Sequence, residues 1–312
     1  MLTPGDIPKL LLAGLRTNFM KAYETAEKEH EKIATKVQSN GSSETYGWLG
    51  GVPKMSEWKD ERIPQGLLEH GFTIINRDWE ASIAVDRNAI EDDQYGQTDV
   101  RIRELATEAA RFFDELSFTL IGQGTQTAGT AGSVYGGVNI KCYDDKAFFA
   151  TNHSEGESGT QSNRGSTALS VSGLTAATTA MRKFKTDKGK PAHIRPNLLV
   201  VPPELEWTAK ELLNSSFYPE EGSSTAKLST NVLKGSFDLL VNDYLTDTDD
   251  WYLFDTRRVV KPTILQMRKQ PTFASLTDGT EAAFMRKQLY FGVDWRGEIL
   301  WGDWRTGYAS IV

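Results

Sequence analysis

The chain has 312 residues, of which 39% are hydrophobic and 25% charged, and this size and composition exclude a globally disordered protein. Its formal net charge is −7 and its sequence pI is about 5.3. No basic patch stands out in the sequence, which argues against a nucleic-acid reader, so we expect any contact with DNA to be weak or local.

The first 40 residues predict an amphipathic helix. Leu11, Leu15, Phe19 and Tyr23 recur at four-residue spacing and form one apolar face of this helix. Two interpretations stay open: a surface helix, or an arm that needs a partner to bury its short apolar stripe. The apolar stretch near the N-terminus is too short for a signal peptide, and no run reaches the roughly 18 apolar residues of a membrane helix.

Residues 41–70 are rich in Gly, Ser and Trp and show no persistent hydrophobic period. The next segment, 71–87, alternates apolar and polar residues, and it predicts two strands around a turn at Asn76–Asp78. Together with the preceding loop, these strands predict a long, projecting β-hairpin.

Three tryptophans fall in this projecting segment: Trp48, Trp58 and Trp79. They could form the hairpin's own core, or they could be anchors at a subunit interface, where aromatic residues are enriched. A hairpin has little core of its own, which favours the interface. The candidate interface residues are therefore these three tryptophans together with Leu11, Leu15 and Phe19.

Residues 97–121 carry the clearest helical pattern in the chain. Apolar residues recur at three- and four-residue steps from Ile102 to Leu120, and they predict one buried stripe. At about 1.5 Å of rise per residue, this helix is nearly 40 Å long.

Residues 142–250 predict a mixed α/β domain. A helix is expected over 173–189, and a buried strand is expected over Leu198–Val201, stopped by two prolines. A second helix begins near Pro203, and this strand–turn–helix order is typical of α/β packing.

The C-terminal part of the chain is rich in strand patterns. Residues 285–312 predict a hairpin that turns near Arg296–Gly297. Apolar residues alternate with polar ones before this turn, and Ile299 and Trp301 continue the alternation after it.

No set of residues predicts a catalytic, cofactor or metal site. The four histidines are scattered, none forms a zinc-protease motif, and we interpret His153 as a polar residue that orders its loop. The one cysteine, Cys142, excludes an internal disulfide and a cysteine-based zinc site, and it fits synthesis in a reducing cytoplasm. Acidic residues at 91–93 leave a carbohydrate-active enzyme with a carboxylate pair open as an alternative, although a capped turn is the simpler account.

The order of these parts resembles the fold shared by the major capsid proteins of tailed phages. Individual segments resemble the major head subunit of Mu-like phages more closely still, and the resemblance covers nearly the whole chain. These segments are SSETYGWLGGVPKMSEW (42–58), EHGFTIINRDWEASIAVDRNAIEDDQYG (69–96), YDDKAFFATNHS (143–154), PNLLVVPPELEWTAKELLNS (196–215) and FGVDWRGEILWGDWRTGY (291–308).

The resemblance implies an α+β fold of four parts, and a structural subunit that is not an enzyme. Such subunits self-assemble into hexamers and pentamers that tile an icosahedral head around double-stranded DNA. The hairpin would lie over a neighbouring subunit, and loops of the axial domain would meet at the centre of each capsomer. The implied parts are an N-terminal arm (1–43), an extended β-hairpin loop (44–86), a peripheral domain (87–141 and 251–312) with its spine helix at 97–121, and an axial domain (142–250).

The same resemblance implies partners and a location. Because the N-terminal arm is short for this class of protein, we expect a separate scaffold protein, together with a portal, and packaged DNA that is not bound in a sequence-specific way. No cofactor, metal or membrane partner is expected. The chain would lie in the host cytoplasm before assembly and in the virion afterwards. A monomeric binding module is the third hypothesis, and a sharp monomer in sedimentation under all conditions would favour it.

Overall fold

The computed structural model describes residues 7–49, 69–86, 95–219, 228–276, 285 and 287–312. Its helices are α1 (Ile7–Thr25), α2 (His30–Ile33), α3 (Tyr95–Gly122), α4 (Val171–Arg182) and α5 (Glu206–Asn214). Its strands are β1 (Ala34–Gln38), β2 (Ser43–Leu49), β3 (Glu69–Ile75), β4 (Arg77–Asp86), β5 (Arg164–Gly165), β6 (Leu198–Val201), β7 (Phe217–Pro219), β8 (Leu228–Thr230), β9 (Asp238–Val241), β10 (Trp251–Phe254), β11 (Thr263–Leu276), β12 (Gln288–Trp301) and β13 (Gly307–Ser310).

Two larger sheets organise the fold. A four-stranded sheet has the order β1-β11-β12-β4, with β1 parallel to β11 and the other neighbours antiparallel. A five-stranded sheet has the order β5-β13-β10-β6-β9. The strands β2 and β3 form a separate two-stranded sheet, and so do β7 and β8. The mixture of helices and sheets is the α+β class that the sequence predicts.

The long helix α3 packs along the four-stranded sheet, and the prediction of a helix over 97–121 is confirmed. Its apolar stripe is buried, with Ile102, Ala106, Phe113 and Leu116 almost fully inaccessible to solvent. The helix contacts β12 and β4 on one side and α1 on another. Because the stripe repeats every three or four residues, one continuous face of the helix covers the sheet.

The hairpin predicted around Asn76–Asp78 is wrong, although both of its strands exist. β3 pairs with β2 from Ser43↔Ile75 to Leu49↔Glu69, whereas β4 pairs with β12. Only Asn76 separates β3 from β4, and one residue is too short for a hairpin turn. The chain therefore passes from the small sheet into the large one at Asn76 without reversing direction.

The hairpin predicted at Arg296–Gly297 is also wrong, because β12 runs through both residues without interruption. A Cβ atom on Gly297 would lie 2.3 Å from the carbonyl oxygen of Gln266 and 2.6 Å from the ring of Trp295. The glycine is needed for close approach of neighbouring strands, and not for a turn.

The five-stranded sheet takes strands from both sides of the boundary expected at residue 250. β10 and β13 fall in the expected peripheral segment 251–312, but β10 pairs with β6 and with β13 inside this sheet. All four residues of β10 are buried, so the strand needs a hydrogen-bonded neighbour on each edge. The sheet therefore joins the two segments that the expected division separates.

Two of the elements expected within 142–250 are confirmed and one is shorter than expected. The strand β6 coincides with Leu198–Val201, and a 3-10 turn at Pro203–Leu205 leads into α5. The helix expected over 173–189 ends instead at Arg182. Beyond Arg182 the chain forms a tight turn, which is closed by a bridge between Lys185 and Pro191. The backbone hydrogen bonds of this turn take the place of those that would continue the helix.

Candidate assembly site

The small β2–β3 sheet is joined to the rest of the subunit through a polar cluster at its base, which we call the hairpin anchor (Tyr46, Asn76, Arg77, Gln266 and Glu298). The amide of Gln266, which is fully buried, donates to the side-chain oxygen of Asn76 at 2.7 Å. Gln266 also accepts from the hydroxyl of Tyr46 at 2.9 Å. Asn76 donates in turn to Ser39 at 2.9 Å. These bonds fix the point where the chain changes sheets.

An ion pair completes the hairpin anchor. Arg77 donates two hydrogen bonds to the carboxylate of Glu298 and a third to the carbonyl of Val134, the last at 2.7 Å. The side chain of Glu298 is 1% exposed. Burial raises the pKa of Glu298 above its ordinary value, although the hydrogen bonds and charge of Arg77 favour the ionised form. The bidentate pair orients β4 relative to β12.

Above the anchor, β2 and β3 place one face toward the subunit and the other toward solvent. Tyr46 lies opposite Phe72 and both are half-buried, whereas Thr45 lies opposite Thr73 and both are exposed. Ile75 leaves 66% of its surface exposed at the base. Among the described residues, no strand beyond these two joins this sheet.

The structure buries Leu15 and Phe19 of the N-terminal helix inside the subunit. Phe19 has no exposed surface, and its ring lies 4.9 Å from that of Phe273 on β11. Both residues share a core cluster with Ile102 of α3 and Phe291 of β12. These two residues of the apolar stripe are thus buried against their own chain, and Phe19 has no surface left for a neighbouring subunit.

Trp79 is also held by its own subunit. Its indole stacks on Trp295 at 6.1 Å between ring centroids, meets Phe112 at 4.9 Å, and donates to the carbonyl of Gly297 at 3.2 Å. The guanidinium of Arg77 lies over the same ring. Trp79 remains half-buried, and it links the hairpin anchor to α3.

The structure describes the remaining predicted interface residues, Leu11, Trp48 and Trp58, only in part or not at all. The backbone places Leu11 in α1 and Trp48 in β2, opposite His70. Their side chains, and the whole of Trp58, lie outside what the structure describes. The acidic residues at 91–93, which prompted the enzyme alternative, lie outside it as well. An interface role for Trp48 and Trp58 stays a prediction.

A second buried polar cluster lies under the five-stranded sheet and contains His153. The Nδ1 atom of His153 lies 2.6 Å from the carboxylate of Asp144, and its ring stacks on Trp304 at 4.1 Å. Arg305 donates to Glu155 at 2.6 Å, and Trp304 donates to the same carboxylate at 2.9 Å. His153 is fully buried and saturated by protein groups, so it orders its loop as the sequence analysis expects.

Within the described ranges, three or more His, Cys, Asp or Glu residues nowhere come together in a way that could hold a metal ion. The helices described there are also too short or too polar to cross a membrane. Burial raises the pKa of the thiol of Cys142 well above its ordinary value, so this cysteine is protonated and shielded.

The structure gathers a basic surface that the sequence analysis missed. Between Arg182 and Arg195, six of fourteen residues are lysine or arginine and one is acidic. Arg257 and Arg258 are remote in sequence but join this segment, because they donate to the carbonyls of Arg195 and Ala192. The local charge count of 182–195 was a usable signal, whereas the contribution of the two distant arginines required the fold.

Comparison with known proteins gives a consistent result over nearly the entire chain. The family described as Mu-like prophage major head subunit gpT matches residues 9–170, 164–245 and 246–311. The Mu-like prophage FluMu major head subunit of Haemophilus influenzae is 28% identical over 305 residues, which cover 97% of this chain and 73% of that protein. The major capsid protein of Escherichia phage Mu is 28% identical over 312 residues, covering 99% and 74%.

Solved structures with a similar fold come from virus particles. A chain of the procapsid of bacteriophage JBD30 superposes with a TM-score of 0.58 at 26% identity, covering 100% of this chain and 76% of that one. A chain of a virus-like particle from Pyrococcus furiosus has the same fold at a TM-score of 0.57 and 9% identity, covering 96% and 98%.

Proposed function

The chain belongs to the family of Mu-like prophage major head subunits, and on this premise we propose how it builds a shell. It is the major head subunit of a phage capsid, a structural protein and not an enzyme, so family membership decides against the carbohydrate-active alternative. We propose that copies associate into hexamers and pentamers, and that these tile an icosahedral head around double-stranded DNA. A separate scaffold and a portal would act during assembly, which would begin in the host cytoplasm.

The observation that carries this proposal is that the β2–β3 sheet has only two strands among the described residues, and that it packs on its subunit through one face near its base. A two-stranded sheet is marginally stable by itself in water, because it buries little apolar surface. Within the described residues it has no further strand, and it is attached to the subunit at one end through the hairpin anchor. We propose that the hairpin, with residues 50–68 between its strands, completes its packing on a neighbouring subunit. Each such contact need only be modest, because closure engages many at once.

The resemblance also guides the placement of the other parts. We propose that loops of the segment 142–250 meet around the axis of each capsomer. The packaged DNA would be enclosed without sequence-specific contacts, because the net charge of −7 opposes broad attraction to phosphate. A chain of the procapsid of phage JBD30 is similar to this one at 26% identity, which supports assembly of copies into a shell.

Removing residues 50–68 tests the proposed role of the hairpin. Leu49 lies opposite Glu69, so a two-residue Asn-Gly turn can replace the segment and close the ladder. We expect a folded, soluble subunit whose melting temperature stays within a few degrees of wild type. We also expect no closed shells by negative-stain electron microscopy, under conditions in which the wild-type chain forms them.

Closed shells from the shortened chain, at the wild-type yield, would contradict the role of the hairpin. A wild-type chain that sediments as a sharp monomer under all conditions, including co-expression with a phage scaffold protein, would support the monomeric binding module instead.

A further inference from the structure

Opposite charges lie at opposite ends of the five-stranded sheet. We define the basic end by Arg182, Lys183, Lys185, Lys188, Lys190, Arg195, Arg257 and Arg258. We define the acidic end by Asp243, Asp247, Asp249 and Asp250, which belong to a loop of nine residues (242–250) without lysine or arginine.

The pairing of the strands shows which chain segments lie at each end of the sheet. Leu198, which begins β6, pairs with Phe254, which ends β10. The chain segments before β6 and after β10 are those that carry the basic residues. The loop 242–250 instead joins the end of β9 to the start of β10, and β9 runs parallel to β6. It therefore lies at the other end of the same strands.

The length of helix α4 gives the distance between the acidic and basic ends, because the helix runs from one to the other. Near its start, Thr167 accepts a hydrogen bond from the indole of Trp251 at the first residue of β10. Just beyond its end, Phe184 packs on Trp304, which precedes the first residue of β13 at the basic end. A helix of 12 residues spans about 18 Å. The two charged surfaces are thus too far apart to neutralise each other within one subunit.

The basic end is held in place by contacts with its own subunit. Asp255 is buried beneath it and lies 4.0 Å from both Arg257 and Arg258. The tight turn that carries Lys185 and Lys190 is closed by the backbone hydrogen bond from Thr186 to Lys190 at 2.7 Å. Within the described residues, no acidic side chain lies within ion-pair distance of Arg182, Lys183, Lys185 or Lys190.

The acidic end is equally well defined. Asp247 accepts hydrogen bonds from the backbone of Asp249 and Asp250, which fixes the loop and leaves Asp243 and Asp249 exposed. Burial raises the pKa of Asp250, and the neighbouring carboxylates of Asp247 and Asp249 raise it further, although Arg164 partly offsets them. Acidic charge therefore accumulates here without full compensation.

We propose that the basic end of one subunit binds the acidic end of a second copy in a head-to-tail contact. This inference rests on the proposed function, because it names one contact by which copies would associate. Two different surfaces at opposite ends of a subunit form a heterologous interface, which closes into a ring when the rotation between copies permits. A two-fold symmetric contact through either end would instead bring like charges together.

Double-stranded DNA is the other polyanion that could contact the basic end. The second copy is favoured because the chain itself supplies the complementary surface, on a loop fixed by its own hydrogen bonds. The chain as a whole is acidic, which opposes its approach to phosphate at long range.

A charge exchange tests the contact. One variant carries Lys185→Glu and Lys190→Glu at the basic end. A second carries Asp243→Lys and Asp249→Lys, and leaves Asp247 to hold the loop. A third carries all four changes and therefore has the wild-type net charge, which makes it the matched control for total charge. Sedimentation velocity over a concentration series measures association, and circular dichroism checks that each variant melts like wild type.

We expect each two-residue variant to raise the concentration of half-association by about tenfold or more, because like charges would then meet. The four-residue variant should return to within about threefold of wild type, and added salt should weaken wild-type association. If a reversed variant unfolds, the neutral pair Lys185→Gln and Lys190→Gln takes its place, and a smaller weakening in the same direction is expected.

Three results would overturn the inference while leaving the proposed function intact. In the first, the two-residue variants associate like wild type. In the second, the four-residue variant is no better than either of them. In the third, the basic-end variant loses only its binding to a short double-stranded DNA probe, which would assign that surface to DNA. A wild-type chain that stays monomeric under all conditions, including co-expression with a phage scaffold protein, would overturn the proposed function, and this inference with it.

Discussion

Single buried polar residues decide how the loops around the five-stranded sheet are held. Burial opposes the ionised form of Glu155 most strongly. The charge of Arg305, together with hydrogen bonds from Tyr143, Trp304 and Arg305, outweighs this effect and lowers the pKa of Glu155 below its ordinary 4.5. The side chain of Glu155 is 4% exposed and that of Arg305 is 12% exposed, so solvent screens the pair weakly.

Replacing Glu155 tests this cluster. Glu155→Gln should lower the free energy of unfolding at pH 7 by about 1.5–3 kcal/mol, because Arg305 loses its charged hydrogen-bond partner at 2.6 Å and retains the carboxylate of Asp303 at 3.7 Å. The pH dependence has a definite sign. A depressed pKa contributes stability above the unfolded value of about 4.5, and this contribution is lost as the pH falls through the folded value. The variant should therefore lose less stability than wild type below pH 4.5, as measured by urea midpoints at a series of pH values.

The neighbouring carboxylate Glu157 supplies the control, because it is exposed. Glu157→Gln should change the free energy of unfolding by no more than about 0.5 kcal/mol at pH 7. If Glu155→Gln matches this control at every pH, the cluster does not stabilise the fold.

At the scale of elements, the burial of α1 bears on how the N-terminal helix acts. An amphipathic helix buries its stripe wherever a complementary surface lies, in the same chain or in another. Here Leu15 and Phe19 meet α3, β11 and β12 of their own subunit. This part of the helix thus belongs to the subunit core.

Shortening one buried side chain of α1 distinguishes packing within the subunit from docking on a neighbouring copy. Phe19→Ala should destabilise the unassembled subunit by about 3–5 kcal/mol, because it opens a cavity at a fully buried position. The adjacent Met20→Ala removes a side chain that is 38% exposed, and it should cost less than about 1 kcal/mol. Urea denaturation of the unassembled subunit measures both. Unchanged subunit stability in Phe19→Ala, with a defect confined to assembly, would show that the helix docks on a neighbour.

At the scale of the whole molecule, one hydrophobic cluster joins the two large sheets, and the cluster beneath α1 is separate from it. Phe148 and Phe149 lie between them, because both rings meet Trp301 of β12, and Phe149 also meets Tyr252 of β10. Residues of both sheets and of α3 belong to one continuous cluster. Because the two sheets share this core, the stability of each sheet depends on the other.

This coupling predicts cooperative unfolding of the unassembled subunit. By hydrogen exchange, the slowest amides of β10 and β12 should open with free energies that agree within about 1 kcal/mol. Leu199→Ala, at a fully buried site in β6, should lower both by the same amount, about 2–5 kcal/mol. A loss confined to β10 would indicate that the two sheets unfold separately.

The sequence by itself determined the elements with a strong local period. The helix over 97–121, the strand Leu198–Val201 and the helix after Pro203 all follow from short-range patterns, since the spacing of apolar residues fixes the type of an element. The amino-acid sequences of whole segments also resembled those of the family. The run of positive charge at 182–195 was also visible in the sequence, but it is easily overlooked in a chain whose net charge is −7.

Only the tertiary structure decided which strands pair, and where the apolar faces are buried. β4 leaves β3 for β12, β12 continues through Gly297, and β10 joins β6 across the expected domain boundary. A two-residue period shows that a segment is a strand, but its partners depend on contacts between residues remote in sequence. The same holds for the charged ends, because Arg257 reaches Arg195, and Asp243 comes to lie opposite them, only when the five-stranded sheet has formed.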